Sequence, residues 1–185
     1  MCKGLITCII LAFVLGLAGN ACGAILWDND SGDNLWKTAA NWSNDKVPGS
    51  GATVHIGLIA PDHCIIGDAD EAKARFLNIG KDAADGELNL TGGSLVTNRA
   101  LRVGNNAVGT LAITGGTIQT IGAGMNVGYK GGTGTVSMLD GTIKTGPDGN
   151  KTRDLTIGGA NSTGTFEIQG GYVDISGRLR VGYNN

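Results

Sequence analysis

The feature that most constrains this chain is a repeat of about 24 residues. Leu77-Asn78-Ile79-Gly80 returns as Leu101-Arg102-Val103-Gly104 and Met125-Asn126-Val127-Gly128. It returns again as Leu155-Thr156-Ile157-Gly158 and Leu179-Arg180-Val181-Gly182, in steps of 24, 24, 30 and 24 residues. A second motif follows four times, as in Gly109-Thr110-Leu111-Ala112-Ile113 and Gly164-Thr165-Phe166-Glu167-Ile168. A turn with a short strand follows that, as in Gly115-Gly116-Thr117-Ile118. Periods of this length mark solenoids or arrays.

Within each motif the apolar residues sit two apart, which places them on one face of a strand. No strand is long enough to bury that face alone, so stacking the repeats is required. The spacing predicts an all-β parallel β-helix, a β-solenoid with three short strands per coil. Leu77, Leu101, Met125, Leu155 and Leu179 form one interior column, and Ile79, Val103, Val127, Ile157 and Val181 form the next. Right-handed coiling is expected from the crossover rule for parallel strands.

Composition agrees. Glycine accounts for 33 of 185 residues without a three-residue period, and prolines number only three, which excludes collagen. A 41% hydrophobic content with net charge −2 argues against disorder. The mild acidity offers no general attraction to nucleic acid or anionic lipid.

Four segments are expected. Residues 1–24 have the order of a secretory signal peptide: Lys3, an apolar run from Leu5 to Leu17, then small residues. The run is short for a membrane span of roughly 20 residues, so no span is expected in the mature chain. Cys22 stands where lipoproteins are acylated, although Gly19 replaces the usual leucine. Residues 25–52 hold Trp27, Trp36 and Trp42 and read as a cap over the open first coil. The rival reading makes these tryptophans carbohydrate-stacking platforms. Residues 53–76 read as an irregular first coil with strands at Val54-His55-Ile56 and Cys64-Ile65-Ile66. Residues 77–185 are the repeats, with a polar insertion at Gly146–Asp154 and a fifth repeat cut short, from which a longer natural protein is expected.

The Trp27…Trp36…Asn41-Trp42…Pro48-Gly49 opening followed by Gly-Thr-Leu-x-Ile-x-Gly-Gly repeats resembles exported bacterial β-solenoid proteins. These are the PEP-CTERM-sorted proteins and autotransporter passengers. The resemblance covers nearly the whole mature chain. It implies secretion or a bacterial cell-surface location, and a structural, adhesin-like or envelope role, with extracellular polysaccharide or envelope components as partners.

The enzymatic rival is a polysaccharide-cleaving β-helix, whose site needs clustered carboxylates or a carboxylate-held metal. The outward columns Asn78, Arg102, Asn126, Thr156, Arg180 and Asn89, Ala112, Ser137, Glu167 place no two acids on neighbouring coils. His55 and His63 are isolated, and Cys64 reads as a small buried apolar residue. The expectation is a non-enzymatic protein with no catalytic residues. A polysaccharide-binding or polysaccharide-cleaving protein is the alternative. The metal candidate is Asp28, Asp30 and Asp33, whose spacing partly matches a calcium loop. Gly32 and Ala39 occupy two of that loop's ligand positions.

Overall fold

The computed structural model describes residues 23–58, 62–147 and 153–183. The signal-peptide and Cys22 expectations, Pro61 and the tip of the insertion at 148–152 lie outside the described residues. Among the described residues no helix is long and apolar enough to cross a membrane.

The chain begins with β1 (Ile25–Leu26), and a single 3-10 turn follows at Ala39–Asn41. The first coil is β2 (Thr53–Ile56), β3 (Cys64–Ile66) and β4 (Glu71–Ala74). The second is β5 (Phe76–Lys81), β6 (Gly86–Leu90) and β7 (Ser94–Thr97). The third is β8 (Ala100–Asn105), β9 (Val108–Ile113) and β10 (Thr117–Thr120). The fourth is β11 (Gly124–Tyr129), β12 (Thr133–Met138) and β13 (Thr142–Thr145). The fifth is β14 (Leu155–Ile157), β15 (Thr163–Ile168) and β16 (Tyr172–Ile175), and β17 (Leu179–Val181) lies on β14.

Equivalent strands pair in parallel into three sheets. The first runs β1-β2-β5-β8-β11-β14-β17, the second β3-β6-β9-β12-β15 and the third β4-β7-β10-β13-β16. This is a β-solenoid with three strands per coil. The predicted columns are in register, Leu77 on Leu101 on Met125 on Leu155 on Leu179. At about 4.8 Å per rung, the seven-stranded sheet is roughly 29 Å along the stacking axis.

Residues 53–74 form a complete three-strand coil, more regular than the sequence indicates. Its third strand, Glu71-Ala72-Lys73-Ala74, pairs residue for residue with β7. Ala72 and Ala74 point inward and are fully buried, while Glu71 and Lys73 face solvent. Two alanines carry too little apolar signal to be recognised between charges.

The interior is a continuous apolar cluster from the tryptophans to Leu155. One column is polar. Thr97, Thr120 and Thr145 lie in register at the inner ends of their strands and are buried. Thr145 Oγ1 donates to the Arg153 carbonyl at 2.8 Å. The hydroxyls of Thr97 and Thr120 have no partner among the described residues.

A bend near the end of β8 explains its glycine. Gly104 sits at φ +73°, and a Cβ there would collide with the backbone carbonyl of Thr133. Only glycine meets both demands cheaply. Gly80 and Gly128 repeat this geometry one coil away on either side.

Candidate functional site

The three tryptophans converge at one end of the solenoid. β1 extends the first sheet, with Ile25 opposite Val54 and Leu26 opposite His55. Asn34–Trp36 runs beside β3: Ile65 N–H donates to the Asn34 carbonyl at 2.7 Å, and Trp36 N–H donates to the Ile65 carbonyl at 2.9 Å. The chain then returns so that Trp42 bridges Trp27 antiparallel. Trp42 stands edge-on to both others, 4.9 Å from Trp27 and 4.7 Å from Trp36.

These indoles are 4%, 1% and 1% exposed for Trp27, Trp36 and Trp42. Sugar stacking needs an open indole face, and none of the three has one. All three rings belong to the buried apolar cluster that runs through the interior. Trp27 Nε1 donates to the Asp62 carbonyl at 3.0 Å and Trp42 Nε1 to the Trp36 carbonyl at 2.8 Å. Trp36 Nε1 is buried without a partner among the described residues.

Asn41, named in the sequence only as part of the Asn41-Trp42 motif, organises the preceding loop. Its side chain is fully buried. Its Oδ1 accepts from the N–H and hydroxyl of Ser31, at 3.0 and 2.6 Å. Its Nδ2 donates to Asp33 Oδ1 at 2.6 Å and to the Leu35 carbonyl at 3.1 Å.

This network decides where the candidate metal ligands go. Both Asp33 oxygens are engaged: Oδ1 also accepts from Leu35 N–H at 2.9 Å, and Oδ2 from the Thr38 hydroxyl at 2.6 Å. Burial opposes the charge, but bonds from Thr38, Leu35, Asn41 and Ser31 outweigh it and lower the carboxyl pKa from 3.8 to about 2. Asp30 is exposed and Asp28 half-buried. Among the described residues no three His, Cys, Asp or Glu side chains are grouped to hold a metal ion, so Asp28, Asp30 and Asp33 are not brought into one ligand set.

The other titratable candidates are separate. Cys64 is fully buried, and burial, followed by the nearby Asp70 carboxylate, raises its thiol pKa well above the usual value. Asp70 is held by Lys37 at 3.3 Å and by Gly67 N–H at 2.9 Å. His55 lies on the outer face of β2; burial and then the Lys81 charge depress its pKa, against a smaller opposing effect of Asp82. His63 Nδ1 is buried without a partner among the described residues.

The outer face of the first sheet gathers cations and rings that the sequence reading did not connect. Asn78, Arg102, Asn126, Thr156 and Arg180 form one outward column, as predicted. Lys81, Asn105 and Tyr129 form a second. The Arg102 guanidinium lies 5.4 Å from the Phe76 ring centre and 4.8 Å from that of Tyr129. Arg180 lies 4.6 Å from the Tyr183 ring and 2.9 Å from Asp154 Oδ2. Cation–ring contacts of this kind contribute about 0.5–1 kcal/mol each when exposed. The signal was present in the motif itself, because Gly128-Tyr129 and Gly182-Tyr183 share a register, but two tyrosines are too few to register as a pattern.

No family model, curated protein or solved structure matches the chain.

Proposed function

We propose that this chain is an exported, non-enzymatic structural or adhesin-like scaffold of a bacterial surface. The observation that supports the reading is the unbroken parallel pairing of three sheets around one interior. Such a stack holds its outer columns at fixed spacing and presents them along a rigid body. A rigid body that positions side chains at set intervals suits spacing and contact better than turnover. The segment from Lys3 to Ala24 supports export.

Expression of the full chain in a Gram-negative host, with fractionation and N-terminal sequencing, tests export. The expected result is an envelope or extracellular product that begins after Ala21, Gly23 or Ala24. Cytoplasmic retention with Met1 in place would overturn it. Incubation of the purified protein with a panel of acidic and neutral polysaccharides tests the non-enzymatic role. New reducing ends or unsaturated products would replace the scaffold with the polysaccharide-cleaving alternative.

A further inference from the structure

The two outward columns of the first sheet carry long side chains on most rungs and thin out together on one. In the second column Lys81, Asn105 and Tyr129 occupy successive coils. Ile157 pairs with Val127 and with Val181, so by count Gly159 follows Tyr129, and Tyr183 follows Gly159. The first column drops at the same rung, from Asn126 to the short Thr156 and back to Arg180. The result is a slot of about 250 Å³, bounded by Tyr129 and Tyr183 and lined by Asn126, Lys130, Thr156 and Arg180.

Its dimensions select a ring. The tyrosines lie two rungs apart, about 9.6 Å along the sheet. A saturated six-membered ring held about 3.5–4 Å from each wall fits that gap. Both tyrosines line the slot, and the Asn126 amide and Thr156 hydroxyl offer donors and acceptors to the substituents of such a ring.

The charges select an anion. Asp154 is held by Arg180 at 2.9 Å, and Asp82 is held by Lys81. Among the described residues Lys130 is in no ion pair, although its charge also acts on the Asp82 carboxylate that Lys81 holds. Lys130 lies 5.6 Å from the Tyr129 ring. Lys130 and Arg180 line the slot and, among the described residues, no carboxylate does, so its rim is net positive beside the tyrosines. Arg180 is already fixed by Asp154 and Tyr183, which reduces the ordering cost of binding.

We infer that the slot binds one pyranose residue carrying an acidic group, as found in an acidic polysaccharide. This goes beyond the scaffold reading and does not depend on it, because binding is read on purified protein and export by fractionation.

Gly159 supplies the decisive variant. Its backbone is not in the left-handed region, and a Cβ there would meet only the Gly128 carbonyl oxygen at an ordinary 3.6 Å. Gly159→Phe should fill the slot without breaking the coil.

The experiment is calorimetric titration at low salt with tetragalacturonate, a low-mass dextran sulfate and neutral maltotetraose. The expected result is saturable binding of tetragalacturonate at least about tenfold tighter than maltotetraose, a difference of about 1.4 kcal/mol. Gly159→Phe should abolish it, and Tyr183→Ala, at an exposed position, should weaken it about fivefold or more. Lys130→Gln should narrow the preference for acid and reduce its salt dependence. Tighter binding of dextran sulfate, lost in the same variants, would identify the acidic group as sulfate. The proposal is overturned if neither anionic sugar binds saturably. It is equally overturned if binding survives unchanged in Tyr183→Ala and in a folded Gly159→Phe protein.

Discussion

The Asn41 carboxamide donates to the Asp33 carboxylate at 2.6 Å, so a fully buried amide fixes an exposed acid. The folded pKa of Asp33 is depressed to about 2. The stabilisation is therefore present above the unfolded value near 3.8 and is lost as pH falls through about 2. Because Asp33 is exposed, screening limits this contribution to below about 1 kcal/mol. Asp33→Asn should flatten the acid limb of stability between about pH 4 and 2, measured by urea unfolding at stepped pH. An unchanged acid limb would contradict the bonding described for this carboxylate.

Trp42 is both ring and donor, and the two contributions separate by substitution. Trp42→Phe keeps most of the contact but leaves the buried Trp36 carbonyl without its side-chain donor, at a cost of about 1–3 kcal/mol. Trp42→Ala also opens a cavity and should cost about 3–5 kcal/mol. Denaturant midpoints read both values. Because the ring is buried, Trp42→Phe should leave affinity for tetragalacturonate unchanged.

Two of the three interior threonines, Thr97 and Thr120, carry hydroxyls without a partner among the described residues. Thr120 Oγ1 is buried without a partner among the described residues. Thr120→Val keeps the shape and removes that uncompensated group, so stability should rise by about 1 kcal/mol. A lowered melting temperature would mean that the hydroxyl has a partner in solution, such as a trapped water.

Gly104 combines a left-handed φ with a backbone carbonyl where its Cβ would stand. Gly104→Ala should destabilise the protein by about 2 kcal/mol or more. Gly159→Ala, at the open position, should stay within about 0.5 kcal/mol of the parent. Equal effects at the two sites would refute the distinction drawn between the bend and the slot.

The repeated motifs made the coil, the three sheets and the inward columns readable, because each apolar pair recurs at a fixed offset. Other features carried no periodic signal. Ala72 and Ala74 are too small to stand out between Glu71 and Lys73. Thr97, Thr120 and Thr145 are polar by composition, and they are interior because each stands two residues after a buried Leu95, Ile118 or Ile143 on its strand. The spacing of Asp28, Asp30 and Asp33 resembles a ligand set, but Asn41, Thr38 and Leu35 take up the oxygens of Asp33 from outside that spacing. The tryptophans were legible as bulk for a cap; which faces they would leave open depended on the return of Trp42 over Trp27, a tertiary event. The slot is a missing side chain, Gly159 on a rung whose neighbours carry tyrosine, and a sequence read for what is present passes over it.

The fixed register of the columns also sets how such a chain changes size over generations. Leu77, Leu101 and Met125 are spaced by 24 residues and pair in sequence. Excision of residues 101–124 would leave Ala100 leading into Met125, and Met125 would settle on Leu77 with the same inward neighbours. Every other strand would keep its partner type. One coil is therefore a unit of inheritance as well as of packing: recombination between repeats can lengthen or shorten the rod by whole rungs, while a single inserted residue inside a strand would turn its interior side chains out to water.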